Sequence, residues 1–559
     1  MPRMTGARFL AETLHGYGVT HFFFMPVIVP DAMPELERLG IARIMAHGEK
    51  PAAYMADGYA RVSGRVGVCG AQSVGAVNLA AGLQDAYLAC SPVIALTGRL
   101  PQIQQSRHAY QEVDHIEPFN AVTKYNALVN TVEEFPLPLR QAFREATTGT
   151  PGPAHLDLSG IAGGMVSAEA EFEVIVEEPF TRIPPFRPEP DMSSVREAIR
   201  LLVEAERPVI VAGGGVTASS ARQELVELAD RLAVPVATSL NAKQTFPYDH
   251  PLAVGVPGSY SRACANQTIA EADLVFFVGS HTGGQVTNDW RIPRPGTRIV
   301  QLDINAAELG RSFPITLGMQ GDVRASLRKM IDNADPAPAP GGLHGEWVER
   351  VQQLVSDWRD DVSPRATSDE LPMRPERLCK ELTDLLPDDS VLVADTGHSG
   401  IWTGTMVDLK HPGQSYIRCA GSLGWGLPAA IGAKSAAPDR PVICFTGDGG
   451  VWYHITELET AVRNGINTVW IINNNASLNQ ERNLNETIYG GAKTGSDHLW
   501  KLSERDFAKM AELMGCFGIQ VNKPGEFGGA LEQALAAGKP AVIDVKTNIE
   551  GIAPTPWNG

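Results

Sequence analysis

Residues 442–480 read V-I-C-F-T-G-D-G-G-V-W-Y-H-I-T-E-L-E-T-A-V-R-N-G-I-N-T-V-W-I-I-N-N-N-A-S-L-N-Q, and this stretch decides the fold. A short apolar run, 442–446, ends in Gly447-Asp448-Gly449-Gly450. Val451, Ile455, Leu458 and Val462 then recur at helical spacing, closed by Gly465 as a C-cap. A second apolar run, 468–472, ends in Asn473-Asn474-Asn475. The pattern predicts strand, Gly-rich turn, helix, strand: a βαβ unit whose right-handed crossover makes its strands parallel. Both polar clusters then lie at the carboxyl ends of parallel strands, where open α/β sheets bind ligands. Asp448 offers a hard anionic oxygen and Asn475 a neutral amide oxygen, a pair that suits Mg²⁺ or Ca²⁺ rather than zinc. Mg²⁺ held by so few protein ligands shares its shell with phosphate oxygens. Gly449 and Gly450 let the backbone approach such a phosphate, and the helix N-terminus stabilises its charge. Either cluster alone is as readily a tight turn or a polar strand end. Together on one βαβ unit they predict a metal-diphosphate cradle.

The rest of the chain sets the frame for that unit. A length of 559 residues is too great for one core, and three or four domains are expected. A net charge of −17 argues against a nucleic-acid-binding surface. The seven cysteines lack C-x-x-C spacing and fall mostly in apolar runs, as reduced core thiols of a cytoplasmic protein do. No apolar run is long enough to span a bilayer, and the N-terminus lacks a signal-peptide core.

Pro-rich residues 181–192 and 332–342 read as linkers. They separate three blocks, 1–180, 192–332 and 370–559, each alternating strands and helices as an α/β domain with a doubly wound parallel sheet. The first block carries an apolar turn, Pro26-Val27-Ile28-Val29-Pro30, and two polar ones, His47-Gly48-Glu49-Lys50-Pro51 and Gln72-Ser73-Val74-Gly75. In the second, Gly213-Gly214-Gly215-Val216-Thr217-Ala218 after a strand fits a dinucleotide fingerprint. No acidic residue follows where a ribose would need one, in Val234-Pro235-Val236-Ala237-Thr238. In the third, a strand at 391–394 ends in Asp395-Thr396-Gly397-His398-Ser399, and residues 480–499 form a polar, Gly-containing lid.

The G-D-G and N-N pair resembles the thiamine diphosphate signature. G-E-K-P-A-A-Y-M-A-D-G-Y-A-R from Gly48 resembles H-E-x-x-A-A-x-x-A-D-G-Y-A-R of acetolactate synthase-type enzymes. A-Q-S-V-G-A-V-N-L, A-Y-Q-E-V-D, T-G-T-P-G-P-A-H-L-D-L and G-S-L-G-W-G-L-P-A-A-I-G-A extend the likeness nearly end to end. The family is that of acetolactate synthase, pyruvate oxidase and benzoylformate decarboxylase. The resemblance implies a pyrimidine-binding, a central Rossmann-like and a diphosphate-binding domain.

It also implies site roles. Asp448, Asn475 and the Ser477 carbonyl would hold Mg²⁺. Glu49 would bond N1′ of the cofactor's aminopyrimidine, with Gly75 beside it. The Gly421 carbonyl would accept from the 4′-amino group, and Leu423 would prop the cofactor in its bent shape. Gly397, His398, Ser399, Gly447, Gly449 and Gly450 would contact the diphosphate. Gln111 matches a substrate-contacting Gln, Tyr110 stands where Phe is usual, and Gln480 would line the pocket. Tyr110 is weighed equally as core packing. Val27 and Ile28 stand where relatives have two glycines, which would narrow the acceptor site. His47 and His115 are candidate proton relays set against purely structural roles.

The implied activity is C–C bond formation or cleavage on a 2-oxo acid or related small carbonyl compound, as a carboligase or decarboxylase. The alternatives are a 2-hydroxyacyl-CoA lyase or oxalyl-CoA decarboxylase, disfavoured by the short tail after 541–545, and a non-catalytic regulatory homologue, disfavoured by the retained Glu49, Asp448 and Asn475. Some relatives bind FAD or ADP in the central domain. Gly279-Ser280-His281-Thr282-Gly283-Gly284 departs from the R-F-D-D-R of FAD-binding members, so an empty site is expected there. Partners would be small carbonyl substrates and further copies of the chain: a homodimer with cofactor between the first block of one subunit and the third of another, and a homotetramer beyond that.

Overall fold

A computed structural model describes residues 2–335, 343–490 and 495–557. It contains three six-stranded sheets, each wholly parallel. The third-domain sheet runs, in spatial order, Ser415–Arg418, Val391–Ala394, Val442–Gly447, Val469–Asn474, Ala541–Lys546, Phe517–Val521. The first-domain sheet has the same connectivity: Ala42–Met45, His21–Phe24, Gly67–Ala71, Val93–Arg99, Ala154–Ser159, Tyr125–Val129. The middle sheet instead has the dinucleotide-fold order 3-2-1-4-5-6, from Ala253–Gly255 through Pro208–Ala212 to Leu317–Gln320. Helices cover both faces of these sheets, so their inner strands are buried and largely apolar; Val469–Asn474 is buried at every position, its polar Asn473 and Asn474 at the carboxyl end.

The segment predicted as one helix after Gly450 is two, Asp448–His454 and Glu457–Arg463. The break falls just before Glu457, whose buried carboxylate accepts the His47 N–H at 3.0 Å. A helix that the pattern reading left unassigned, Gly345–Ala366, packs on the middle domain, where Trp347 Nε1 donates to the Pro208 carbonyl at 2.9 Å. All seven cysteines are free, six of them buried. Among the described residues no helix is long and apolar enough to cross a membrane.

The first and third domains share one apolar core. Helix Glu49–Ser63 lies directly on helix Gly426–Ala436, with backbone touching backbone. A Cβ on Gly58 would sit 2.1 Å from the Ala429 carbonyl oxygen, and one on Gly432 would sit 1.8 Å from that of Met55. Around this crossing Asp57 pairs with Arg61 at 2.6 Å and accepts the Trp425 Nε1–H at 2.9 Å, and the Arg61 guanidinium lies 4.7 Å from the Trp425 ring. The A-D-G-Y-A-R stretch is thus a docking surface between domains.

Candidate active site

In the third domain the strand order reverses between Val391–Ala394 and Val442–Gly447, and two loops meet there. The first is Asp395 to Ser399. Gly397 is left-handed (φ 66°) and caps helix His398–Met406; a Cβ on it would lie 2.9 Å from Gln480 Oε1. Among the described residues His398 Nδ1 is buried with no hydrogen-bond partner, and burial pulls the imidazole down to about 4, so it is neutral at pH 7. The second loop is Gly447 to Gly450. Gly447 faces Ser399, whose Oγ is 3.5 Å from where its Cβ would be. Gly449 and Gly450 are crowded by the chain itself: a Cβ would stand 2.3 Å from Leu478 Cδ2 and 2.9 Å from Asp395 Oδ2 respectively.

Asp448 is 3% exposed, and its Oδ2 accepts the Ser477 N–H at 2.9 Å. Burial pushes its carboxyl up to about 7, and among the described residues no cationic side chain pairs with it. Of the three asparagines, Asn473 accepts from the Thr547 hydroxyl at 2.6 Å and Asn474 donates to Asp544 at 2.7 Å. Only Asn475 is left half-buried at the mouth, its Oδ1 2.7 Å from the Ser477 hydroxyl. Among the described residues no three of His, Cys, Asp and Glu converge as a metal cage. One carboxylate, one amide and one carbonyl fit a hard cation whose shell is completed by ligand oxygens and water. Loop 477–502 is pinned at its base beside Asp448 by Leu478 N to Trp500 O and Leu502 N to Ala476 O, each 2.7 Å. Of the predicted lid, residues 491–494 lie outside the described residues.

Glu49 opens helix Glu49–Ser63, and its Oε2 accepts from Asn78 Nδ2 at 3.3 Å. A Cβ on Gly75 would be 2.4 Å from Glu49 Oε1, so that glycine makes room for the acid. Glu49, His47, Lys50 and Asn78 line an open cleft of about 250 Å³ with Tyr453 and His454 of the third domain. Within one chain, therefore, Glu49 faces the His454 end of helix Asp448–His454, the opposite end from Asp448.

Residues 4–117, 195–330 and 395–545 match, in turn, the N-terminal TPP binding domain, the central domain and the C-terminal TPP binding domain of thiamine pyrophosphate enzymes. A probable acetolactate synthase large subunit of Methanocaldococcus jannaschii is 33% identical over 557 residues, covering 97% of this chain and 92% of that protein. The acetolactate synthase large subunit of Corynebacterium glutamicum is 31% identical, covering 97% and 86%. The chain belongs to the thiamine diphosphate-dependent enzymes of acetolactate synthase type.

In this thiamine diphosphate enzyme the remaining predicted residues divide. Gln111 is held left-handed (φ 61°), its backbone carbonyl accepts from Ser73 Oγ at 2.6 Å, and its side-chain Oε1 is buried without a partner among the described residues. Tyr110 is 79% exposed, which removes core packing as its role in the single chain. Val27 is 47% exposed, whereas Ile28 is fully buried in the first-domain core. Only Val27 of that pair is free to meet a substrate. His115 is fully buried with Nδ1 3.0 Å from Asp157, and His47 is bound by Glu457 and Thr460; both therefore have structural partners. Gly421 is open and Leu423 half-buried, in a turn fixed by Asp85 of the first domain, which accepts the Ser422 N–H at 2.9 Å and that of Ala420. In the middle domain a Cβ on Gly213 would be 2.2 Å from the Gly279 carbonyl oxygen, so contact between these two loops accounts for that glycine.

Pattern reading passed over Asp395, Asp85 and Glu457. Asp395 is buried, pushed up to about 6 by burial, and takes N–H donors from Thr396, Gly424 and Gly426 and the Thr446 hydroxyl, tying three site loops together. The available signal was an acid at a strand end or on the buried face of an apolar helix. Burial pushes Glu457 up to about 7. A carboxyl raised on folding binds more protons folded than unfolded, so its contribution is complete below about 4.5 and lost as pH rises through about 7. Glu457→Gln is expected to flatten the fall in melting temperature across that window. An unchanged pH profile in thermal melts excludes the effect.

Proposed function

We propose that the chain is a thiamine diphosphate- and Mg²⁺-dependent enzyme that forms or cleaves a C–C bond on a 2-oxo acid or a related small carbonyl compound. The observation that carries this reading is Asp448, a buried carboxylate that no cationic side chain pairs with among the described residues, at the point where the sheet order reverses. The acetolactate synthase relatives support the substrate class. When bound, thiamine diphosphate supplies a thiazolium carbon that adds to a carbonyl and accepts the electron pair of the bond that breaks.

The chain's own residues bind, orient and protonate. Asp448, the Asn475 amide oxygen and the Ser477 carbonyl would hold the metal, which would leave its other positions to phosphate oxygens and water. Gly397, neutral His398, Ser399 and Gly447 receive the diphosphate, helped by the helix end at His398. Leu423 would prop the cofactor in its bent shape, and the Gly421 carbonyl would accept from its 4′-amino group. Glu49 would hydrogen-bond the cofactor's aminopyrimidine. Gln111 and Gln480 orient the substrate oxygens, and Val27 narrows the space for a second carbonyl.

Within one chain Glu49 faces the His454 end of helix Asp448–His454, away from Asp448, which supports a site that takes Glu49 from a second copy. The smallest active unit is then a homodimer, and two such dimers would form the cytoplasmic tetramer. Asp448→Asn is expected to raise the Mg²⁺ and cofactor half-saturation concentrations at least about tenfold and to abolish carbon dioxide release from pyruvate, with circular dichroism unchanged. Wild-type cofactor affinity in that variant sinks the reading.

A further inference from the structure

The middle domain, helix Gly345–Ala366 and the third domain meet around a cavity of about 40 Å³, lined by Thr238, Lys243, Tyr248, Arg262, Arg359 and Asp408. The proposed reaction uses none of these. Lys243 and Arg262 are only 8% and 5% exposed. Arg262 stacks 4.4 Å from the Trp358 ring and donates to Asp408 Oδ1 at 2.5 Å, and Arg359 Nη1 lies 3.8 Å from Asp408 Oδ2. Asp408 is the one carboxylate among the lining residues.

The charges do not balance. Lys243 Nζ donates to the Gly404 carbonyl at 2.9 Å and Arg262 Nε to that of Thr405 at 2.8 Å, both at the C-terminal end of helix His398–Met406. A helix end carries about half a negative charge, and Asp408 adds one. Facing them are two guanidiniums, which stay charged, and a lysine that burial and Arg262 pull down to about 7. Roughly one positive charge is left over. Lys410 is paired with Asp384 at 2.6 Å and stands outside this sum, while burial raises the Cys379 thiol and keeps it neutral. The surplus sits on Arg359, half-exposed at the mouth of the cavity, and a cleft lined by an excess of positive charge attracts an anion.

We propose that this cavity binds a small tetrahedral oxyanion, the size of phosphate, between Lys243, Arg262 and Arg359. The volume supports that size, since a single water needs only about 10–15 Å³ by the same measure and a nucleotide base would not fit. Arg359 is 43% exposed, so the oxyanion is either free or the phosphoryl end of a metabolite entering past that side chain.

The test uses holoenzyme saturated with thiamine diphosphate and Mg²⁺, so that the cofactor's own phosphate site is filled. Inorganic sulfate, fully ionised, is titrated calorimetrically just above the lysine's pKa of about 7, in two buffers of different ionisation enthalpy. The wild-type chain is expected to bind one sulfate and take up protons as Lys243 becomes charged. Arg359→Gln, a change at a half-exposed position, weakens binding at least about tenfold, and Lys243→Met abolishes the proton uptake. Inorganic phosphate and ribose 5-phosphate are then compared: tighter binding of either supports the site and names the source. No binding to the wild type, or equal affinity in Arg359→Gln, overturns the proposal.

Discussion

Glu49→Gln lowers kcat by about 10²–10⁴-fold, the usual worth of a positioned acid–base group, and leaves thiamine diphosphate bound. Glutamine preserves the shape and one donor but has no proton to share, so the loss falls on turnover. In the proposed site affinity would be set in the third domain, at Asp448 and the loop from Gly397, which the substitution does not touch. Retention of cofactor through gel filtration, together with steady-state rates, separates the two effects. Mixing adds a sharper measurement. If each site takes Glu49 from one copy and Asp448 from the other, a mixed dimer of Glu49→Gln and Asp448→Asn chains has one doubly defective site and one intact site. Random reassociation of equal amounts then restores about a quarter of wild-type activity, as two-fold symmetry requires. If one chain supplies both residues, mixing restores nothing, and the shared site is wrong.

Gly432→Ala is expected to destabilise the chain by about 3 kcal/mol or more, at or beyond the upper end for overpacking a core. The added methyl would stand 1.8 Å from the Met55 carbonyl oxygen and 2.6 Å from its carbon. Those are backbone atoms of a helix, with no rotamer to yield, so the two helices must separate. The apolar core shared by the first and third domains opens with them. Trp425, fully buried and bonded to Asp57 across the boundary, makes the undocking visible as a fluorescence shift in denaturant titrations. Gly58→Ala acts on the same contact, so the double variant should cost less than the sum of the two. An unchanged denaturation midpoint in Gly432→Ala removes the close approach as a source of stability.

The neighbourhood of Asp448 was legible because its signals are local. A turn needs its Gly and Asp in sequence, a helix shows its apolar face every few residues, and both clusters belong to one βαβ unit. The same holds for Glu49 at the start of its helix and for the fold class of all three blocks. Partner choice over long sequence separations was not legible. Asn473, Asn474 and Asn475 are identical as letters, and only the positions of Thr547 and Asp544 leave the last of them at the mouth. Val27 and Ile28 read as a pair, yet the turn sends one to solvent and the other into the core. Gly75 read as a cofactor contact and lies close enough to Glu49 to admit its carboxylate. The buried cations around Asp408 come from residues about 150 positions apart, gathered only by domain packing. Sequence by itself thus determined the elements and the chemistry each can offer, because backbone geometry and side-chain type act over a few residues. Tertiary structure alone decided which of those groups are desolvated and which find a partner, because burial and pairing depend on segments the chain brings together from far apart.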